Sequence, residues 1–315
     1  MSAKIFIDGE VGTTGLQIRA QLSEREDVEI ISIPHVSRKD PIARSEKLNA
    51  ADLAILCLPD EAARESIVMI KNPNLKIIDA SSAHRIDPDW TYGFPELNGK
   101  QTEKIRKSKR VTNPGCYALA SIAIIHPLVS AKILPADYPV TINAISGYSG
   151  GGRSMITSFE DKNSPEFSAD NFRVYSLSLA HKHVPEIQKH SGLNHRPLFM
   201  PSVGRFAQGM IVQLPLQLWS LPRMPKAHDL FDVLVDFYQN QPLINVISLK
   251  EIAEIKSIQP EALKGTNELS LYVFNNKSDQ SGTEENQAVV MALLDNLGKG
   301  ASGQAVQNMD LMLGL

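Results

Sequence analysis

Short β-branched runs alternate with amphipathic stretches in the first part of the chain. Strands are predicted at Lys4 to Asp8, Val28 to Ile33, Asp52 to Leu58 and Leu75 to Asp79. Helical patterns lie between them at Gly15 to Arg25 and Asp60 to Lys71. Residues 53–58, which read LAILCL, are apolar without alternation, as in a strand buried on both faces. The pattern predicts an α/β domain whose parallel sheet is covered by crossover helices.

The alternation of strand and helix patterns is interrupted at Asn113-Pro114-Gly115, where we expect a domain boundary. A helix is predicted from Cys116 to Lys132, with Pro127 as a kink or an early stop. Longer alternating strands are predicted after it, at Val140 to Ile145, Leu198 to Val203, Gly209 to Leu218 and Glu268 to Phe274. Their alternation favours an α+β second domain with a more antiparallel sheet.

Composition narrows the class of protein. The chain has 315 residues, 43% of them hydrophobic, which is enough for two domains with buried cores. Its 32 Lys and Arg against 35 Asp and Glu give a net charge of −3, so the basic excess typical of nucleic-acid binding is missing. Two cysteines, Cys57 and Cys116, are too few for a disulfide framework and favour a reducing compartment. With no recognisable signal peptide and no apolar run of the ~18 residues that a membrane span needs, we expect a soluble cytoplasmic protein without a membrane partner.

A glycine-rich loop, residues 9–15 (GEVGTTG), follows the first predicted strand. Glycines allow a tight turn and a close backbone approach, and the amino end of the next helix offers N–H groups to a pyrophosphate. The spacing differs from the common G-x-G-x-x-G, and such a turn can be purely structural. Its place in a strand-helix-strand pattern favours a dinucleotide site. The binding residues would then be Gly9, Gly12, Thr13, Thr14 and Gly15.

The end of the second strand bears on the choice of dinucleotide. A site that prefers NAD carries an acid there, which holds the 2′-hydroxyl of the ribose. This chain has Ser37, Arg38 and Lys39 instead, a hydroxyl and two cations that suit a 2′-phosphate. The sequence therefore favours NADP(H), bound by Ser37 and Arg38. A solvated basic loop is the alternative, and Asp40 close by complicates the assignment.

Cys116 follows Pro114 and Gly115 at the predicted amino end of a long helix. The helix dipole and the N–H groups at such a place stabilise a thiolate, which is a nucleophile near neutral pH. Free cysteines are more often simply buried, as we expect of Cys57 inside its apolar strand. From the local sequence alone, a catalytic and a structural Cys116 stay equally open.

A thiolate nucleophile usually works with an acid–base group, and the best candidates are His181 and His183. Pro185 suits the first turn of a helix, so both histidines are expected at or just before its positive end, where the protonated imidazole is disfavoured. We disfavour a metal site because no third ligand stands at a recognisable spacing. A hydride-carrying cofactor together with such a thiol indicates covalent capture of an acyl group and its reduction.

Two arginines are candidate contacts for an anion. Arg153 directly follows three glycines in residues 146–153, SGYSGGGR, a segment that could also be a mobile hairpin loop. Arg85 follows the fourth predicted strand, at the sheet edge where ligands of parallel sheets bind.

Five segments together resemble the N-acetyl-gamma-glutamyl-phosphate reductase family, in its compact second type. They are residues 9–15, 113–117 (NPGCY), 146–153, 181–187 (HKHVPEI) and 295–308 (DNLGKGASGQAVQN). They cover the chain from end to end and in the right order.

The resemblance implies an NADPH-dependent oxidoreductase of arginine biosynthesis, which converts N-acetyl-glutamyl 5-phosphate into N-acetyl-glutamate 5-semialdehyde and phosphate. Cys116 would attack the acyl phosphate, phosphate would leave, NADPH would reduce the thioester, and the thiohemiacetal would collapse to the aldehyde. His181 is implied as the acid–base group at the thiohemiacetal oxygen and His183 as a substrate contact, although nothing local orders the two. The other implied substrate contacts are Arg153, Arg85 and Asn113.

The family fold implies a Rossmann NADP-binding domain, residues 1–114 plus 298–315, and an α+β catalytic and dimerisation domain, residues 115–297. The apolar pattern of the tail from Lys299 to Leu315 predicts a helix and leaves open which domain it packs on, and the resemblance implies that it returns to the Rossmann domain. Its apolar stripe comprises Ala305, Val306, Met309 and Met312. The remaining implied cofactor contacts are Pro59, Ser81, Gly147, Asn296 and Gly300. A homo-oligomer, either a dimer or a tetramer, is also implied.

Three alternatives stay open. Another acyl-phosphate reductase, of the aspartate-semialdehyde dehydrogenase type, would share the thiol and the NADP chemistry but take a different acid. A non-catalytic NADP-binding sensor would not need Cys116, and a thiol hydrolase would not need the glycine loop.

Overall fold

The computed structural model describes residues 2–276 and 286–315. The chain divides into two compact units, of which unit 1 comprises Met1–Gly115 with Ala301–Leu315 and unit 2 comprises Cys116–Gly300. Within the described residues, no helix has both the length and the apolar character needed to span a membrane.

Unit 1 alternates strands and helices from its first residues, as the apolar pattern predicts. Its elements are β1 (Ala3–Asp8), α1 (Thr13–Leu22), β2 (Val28–Ile31), α2 (Pro41–Ala50), β3 (Leu53–Leu56), α3 (Asp60–Val68), β4 (Lys76–Asp79), β5 (Thr91–Tyr92), α4 (Gln101–Lys107) and β6 (Arg110–Thr112). The strands pair in the order β2-β1-β3-β4-β6-β5, and every pairing is parallel. This is a Rossmann-like sheet, so the predicted α/β class is confirmed.

Apolar side chains cover both faces of this sheet, because neighbouring residues of a strand point to opposite sides. One face buries Ile5, Ile7 and Ile55 beneath α1, and the other buries Phe6, Ala54 and Leu56. Loss of alternation in the third strand thus reflects burial on both faces.

Unit 2 contains a long first helix and a larger mixed sheet. Its elements are α5 (Cys116–Ser130), β7 (Thr141–Gly147), α6 (Gly152–Glu160), β8 (Phe172–Val174), α7 (Val184–Ser191), β9 (Leu198–Gly204), β10 (Met210–Gln217), α8 (Ala227–Tyr238), β11 (Ile244–Val246), α9 (Leu249–Ile252), β12 (Leu269–Asn275) and β13 (Gln287–Leu294). The strand order is β11-β12-β13-β10-β7-β9-β8. Most pairings are antiparallel, and those of β11 with β12 and of β7 with β9 are parallel. The predicted α+β class of this part is therefore confirmed as well.

The last helix, α10 (Gly303–Leu313), belongs to unit 1. Its residues Ala305, Met309 and Met312 are buried in the same core cluster as Ile5 and Ile7. The predicted return of the tail to the Rossmann-like unit is confirmed.

Of the two alternatives for Pro127, a kink or an early stop, the early stop is wrong, because α5 continues to Ser130. A proline inside a helix leaves the carbonyl four residues earlier without its usual N–H donor. Here that carbonyl belongs to Ala123, and it accepts a hydrogen bond from the Tyr238 hydroxyl at 2.8 Å. A side chain from α8 therefore supplies the donor that Pro127 removes.

We expect Gly9→Ala to destabilise the protein. Gly9 has a φ of 91°, and a Cβ there would collide with the carbonyl oxygen of Cys57. Left-handed backbone strain and overpacking together should lower the free energy of unfolding by about 2 kcal/mol or more. Denaturant unfolding should reveal this loss, whereas Gly99→Ala should behave as wild type because a Cβ at Gly99 meets nothing within 4 Å. Equal stability of the two variants would contradict this account.

Candidate active site

The predicted glycine loop forms the connection between β1 and α1. A Cβ on Gly15 would lie 2.6 Å from the carbonyl oxygen of Gly9, so the loop closes tightly on itself. Gly12 precedes α1 without a side-chain cap, and Thr13 and Thr14 form the first residues of the helix. The first N–H groups of an uncapped helix lack intrahelical acceptors and suit an anion.

A cavity of about 410 Å³ opens beside this loop, at the carboxyl ends of β1 and β3. Among its lining residues are three predicted cofactor contacts, Gly9, Arg38 and Pro59. Ser37 directly precedes Arg38, in the 3₁₀ turn His35–Ser37. The cavity lies where the strand order reverses, which is the usual ligand position in open parallel sheets.

Basic side chains form part of the lining of the cavity. His35, Arg38, Lys39 and Arg44 line it, against the acids Asp8 and Glu10. The two acids are already paired: Asp8 accepts from Nη2 of Arg44 at 2.9 Å, and Glu10 accepts from Nη1 of Arg19 at 2.5 Å. Arg38 and Lys39 therefore carry charge that a 2′-phosphate would complement.

Asp40 has a structural role as a helix cap. Its carboxylate accepts a hydrogen bond from the N–H of Ile42 at 2.9 Å and caps the amino end of α2. The acid that complicated the choice between NAD and NADP is thus explained as a helix cap. The tightly closed glycine loop and the uncapped amino end of α1 fit the pyrophosphate of NADP(H), and the basic residues that line the cavity fit its 2′-phosphate.

The loop after β4 carries two more of the predicted residues. Ser81 donates from its N–H and its hydroxyl to the two carboxylate oxygens of Asp79, each at 2.9 Å. Arg85 is buried and donates from Nε to the carbonyl of Asn113 and from Nη2 to that of Ala80, both at 3.0 Å. Asn113 lies between β6 and α5, and its amide donates to the carbonyl of Ala301 at 2.8 Å.

In unit 2, Cys116 is the first residue of α5, as the sequence predicts. Gly300 packs directly on it, since a Cβ on Gly300 would lie 2.8 Å from Cβ of Cys116. Gly300 belongs to the single π-helical turn Gly298–Ser302, and its N–H donates to the carbonyl of Asp295 at 2.8 Å. The predicted Cys116 and Gly300 are thus brought together, and no larger residue fits at position 300.

His181 and His183 are brought together immediately before α7. Their ring centroids lie 4.7 Å apart, and the N–H of His183 donates to Nδ1 of His181 at 3.1 Å. Because Nδ1 is an acceptor, we assign the proton of the neutral His181 ring to Nε2. Pro185 occupies the first turn of α7, as predicted, and His183 is buried at the N-cap position.

Three aromatic residues lie beside His181, and sequence reasoning missed two of them, Tyr175 and Phe199. The ring centroids of Tyr117, Tyr175 and Phe199 lie 5.8, 5.8 and 5.2 Å from that of His181. Burial raises the pKa of Tyr175 to about 12, with Cys116 adding to the effect and a hydrogen bond with Tyr117 opposing it. Tyr175 is therefore neutral at physiological pH, and no motif spacing pointed to it.

The segment 146–153 is ordered into a 3₁₀ turn and the start of α6, not the hairpin loop considered as its alternative. A Cβ on Gly147 would lie 2.5 Å from the carbonyl oxygen of Ala207, so this glycine admits a neighbouring main chain. Asn296 is buried and joins two segments, accepting from the N–H of Gly209 at 2.7 Å and donating to Ser149 at 3.0 Å. Arg153 is exposed in the first turn of α6.

We expect alkylation to distinguish the two thiols. Burial raises the pKa of Cys57 to about 12, and the Asp79 and Asp8 carboxylates add to it. At pH 8.5, fewer than about one in a thousand Cys57 side chains is then a thiolate, the form that reacts. Peptide mapping after iodoacetamide treatment of the folded protein should find Cys116 modified and Cys57 intact. Equal modification of both in native protein would contradict this assignment, and unfolding in guanidinium should expose both.

Comparisons with known proteins agree with this geometry. Residues 116–296 match the model described as semialdehyde dehydrogenase, dimerisation domain, and residues 34–105 match semialdehyde dehydrogenase, NAD binding domain. Among solved structures, aspartate semialdehyde dehydrogenase II from Vibrio cholerae has a TM-score of 0.70 at 16% identity and covers 100% of this chain and 99% of its own. A probable aspartate-semialdehyde dehydrogenase from Pseudomonas aeruginosa has a TM-score of 0.71 at 14% identity, with 99% of each chain covered. At such identities the likeness shows the fold alone.

Curated relatives are much more similar in sequence. The protein of Brucella suis named N-acetyl-gamma-glutamyl-phosphate reductase is 52% identical over 100% of both chains. The protein of the same name from Chelativorans sp. is 53% identical over 99% of both chains. The family predicted from the five motifs is confirmed: the chain belongs to the semialdehyde dehydrogenases and, within them, to the N-acetyl-gamma-glutamyl-phosphate reductase family.

Proposed function

We propose that this protein is an NADP-dependent oxidoreductase of arginine biosynthesis. It reduces N-acetyl-L-glutamyl 5-phosphate to N-acetyl-L-glutamate 5-semialdehyde and releases phosphate. The observation that carries the proposal is the placement of Cys116 at the amino end of α5, in a chain 52% identical over its full length to proteins that bear the reductase name. His181, whose ring lies beside that of His183, supplies the accompanying acid–base chemistry.

Cys116 is the nucleophile in this reaction. Its thiolate sulfur attacks the acyl carbon, an S–C bond forms, and the bond from that carbon to the phosphate oxygen breaks with its electron pair on phosphate. The first N–H groups of α5 have no intrahelical acceptors, so they offer hydrogen bonds to the oxyanion that develops during this attack. When bound, NADPH supplies the hydride that reduces the resulting thioester.

His181 is the acid–base residue at the reacting oxygen. Its Nε2 carries the proton of the neutral ring, because Nδ1 accepts from the N–H of His183. Nε2–H can therefore donate a hydrogen bond to the thiohemiacetal oxyanion, which stabilises the oxyanion until the C–S bond breaks with its electron pair on sulfur and the aldehyde forms. The rings of Tyr117, Tyr175 and Phe199 limit the space around it and hold its plane.

The substrate's charged groups need cationic or hydrogen-bonding partners. We assign Arg153 to an anionic group of the substrate, because it is an exposed cation in the first turn of α6, directly after Gly152. His183, buried beside His181, is assigned to substrate positioning. The cofactor contacts are assigned to the glycine loop and to Ser37, Arg38, Pro59, Ser81, Gly147, Asn296 and Gly300. In the same proposal, residues 1–114 with 298–315 form the cofactor domain, and residues 115–297 form the catalytic domain.

The protein is also proposed to be a homo-oligomer, since residues 116–296 match a dimerisation domain. The edge strand β8 and the residues after it expose Phe172, Val174 and Leu177, an apolar surface that a second copy could cover. Light scattering at the mass of a single chain would argue against this assembly. The cytoplasmic location stays a prediction from the sequence.

We expect Cys116→Ser to abolish the reaction without abolishing cofactor binding. The reverse direction is convenient: N-acetyl-glutamate semialdehyde, NADP and phosphate should give phosphate-dependent NADPH absorbance with wild type. A serine hydroxyl is a far weaker nucleophile, so the rate should fall by at least about 1000-fold. Cys57→Ser is the matched control and should retain activity. Tight NADP binding by a wild type that lacks this activity would overturn the substrate assignment, and activity with aspartate semialdehyde instead would indicate the other type of acyl-phosphate reductase.

We expect Arg38→Ala to weaken NADPH much more than NADH. Loss of one charge-assisted hydrogen bond to the 2′-phosphate costs about 1.5–3 kcal/mol, or roughly 10-fold to 100-fold in affinity. Fluorescence titration with both cofactors measures the ratio directly. Arg64→Ala removes the same charge from an exposed position of α3 and should leave the ratio unchanged. An unchanged preference for NADPH in Arg38→Ala would contradict the assignment.

A further inference from the structure

A buried set of hydrogen bonds holds the residue that begins the turn into Cys116. The N–H of Asn113 donates to the carbonyl of Asp79 at 2.7 Å, and its carbonyl accepts from Nε of Arg85 at 3.0 Å. The side-chain amide of Asn113 donates to the carbonyl of Ala301 at 2.8 Å and accepts from Nδ2 of Asn308 at 3.2 Å. The main-chain N–H, the main-chain carbonyl and both polar atoms of the side-chain amide of Asn113 are thus hydrogen-bonded.

Asn308 is a buried polar residue next to the apolar core of unit 1. It is fully buried on α10, whose neighbouring residues Ala305, Met309 and Met312 belong to the core of unit 1. Burying an amide costs free energy unless hydrogen bonds replace those lost to water, so a leucine or methionine would serve packing better. Its Nδ2 donates to Asn113 and to the carbonyl of Gly93 at 2.9 Å, which explains what the amide does there.

The surrounding backbone is shaped to admit this amide. A Cβ on Gly93 would collide with Nδ2 of Asn308 and would lie 2.6 Å from the carbonyl oxygen of Thr112. Gly93 has no positive φ, so backbone freedom does not explain the glycine. The space above Gly93 is needed for the side chain of Asn308.

Arg85 acts on the same residue from the other side. It is buried, and its two described donors go to the carbonyls of Asn113 and Ala80. Ala80 follows β4, so the guanidinium ties the β4 loop to the residue after β6. This geometry favours a positioning role for Arg85 over contact with the substrate's phosphate.

We propose that Asn308 and Arg85 are positioning residues for Cys116, which they hold through Asn113. The inference rests on the proposed function, in which the thiol must meet the acyl carbon and the thioester must then meet the hydride donor. Only Pro114 and Gly115 separate Asn113 from the thiol-bearing residue. A displacement of Asn113 is therefore passed to Cys116, and an error of about 1 Å in a reacting atom can cost about 100-fold in rate.

Asn308→Ala tests the proposal, with Gln307→Ala as the matched control. Gln307 is the neighbouring residue of α10, and its side-chain amide donates to Glu96 at 2.9 Å. Its replacement by alanine therefore also removes a hydrogen bond between α10 and another part of unit 1. We expect Asn308→Ala to lower kcat roughly 10-fold to 100-fold, with KM for the acyl phosphate and the Kd of NADPH within about twofold of wild type. Gln307→Ala should stay within about twofold of wild type in all three.

Arg85→Lys separates the two roles of the arginine. Lysine keeps the positive charge but loses the planar pair of donors. A positioning role predicts a fall in kcat with little change in KM, whereas a phosphate contact predicts a rise in KM with kcat largely retained. The second pattern would overturn the proposal for Arg85.

Alkylation of Cys116 provides a readout that needs no substrate. The rate constant for iodoacetamide, measured from pH 6 to pH 10, should change in Asn308→Ala by at least about threefold or shift its midpoint, and should match wild type in Gln307→Ala. Retained kcat with an unchanged alkylation profile in Asn308→Ala would overturn the proposal. Equal losses in both variants, together with a lowered Tm, would do the same, because the effect would then be general destabilisation. If wild type itself lacks reductase activity, the proposed function fails, while the alkylation profiles still decide whether Asn308 positions the thiol.

Discussion

The parallel direction of every described strand in unit 1 is the constraint on which its binding edge depends. Parallel neighbours cannot be joined by tight turns, so each strand is followed by a crossover, and all carboxyl ends open at one edge of the sheet. The loops there contain Gly9 after β1, Pro59 after β3 and Asn113 after β6. The chain therefore leaves unit 1 at the same edge of the sheet that carries the glycine loop, the edge at which open parallel sheets bind ligands.

Glycine has a different physical reason at each of three candidate positions. Gly9 combines a left-handed backbone with the close carbonyl of Cys57, Gly147 admits the main chain of Ala207, and Gly300 admits Cys116 itself. The sequence pattern marks all three as glycines that matter, but it cannot say which neighbour demands each one. That neighbour is far away in sequence for every one of them, so only the folded chain supplies the reason. Mutations at Gly9, Gly147 and Gly300 are therefore expected to disturb loop conformation, packing within unit 2 and packing against Cys116, respectively.

Local patterns predicted the parts of the fold that local physics determines. The four apolar β-branched runs became β1 to β4, and the Ala305, Met309 and Met312 stripe became the buried face of α10. Strands β5 and β6 were missed, since Thr91–Tyr92 and Arg110–Thr112 are too short to show a period. The continuation of α5 past Pro127 depends on the hydroxyl of Tyr238, which no window around the proline contains.

The residues of the candidate site likewise divide into those that the sequence predicted and those that only the folded chain reveals. Cys116, the histidine pair and the basic residues after β2 were found because residue type and position in a helix or strand carry their chemistry. The sequence left open whether Asp40 bears on the choice between NAD and NADP, and the structure shows that its carboxylate caps α2. Tyr175 and Asn308 were missed because each matters through a partner more than 50 positions away, Tyr117 or Asn113.

The hydrogen bond from the N–H of His183 to Nδ1 of His181 distinguishes two histidines that the sequence left equivalent. With Nδ1 engaged as an acceptor, a neutral His181 ring carries its proton on Nε2 and presents an N–H donor on that side. In the proposed reaction, stabilisation of the attacking thiolate therefore falls to the amino end of α5, where Cys116 is the first residue. His181 enters later, as a donor to the oxygen of the reduced intermediate. The helix and the imidazole thus serve different steps, and positioning of the Cys116 turn affects the first step before His181 donates its hydrogen bond.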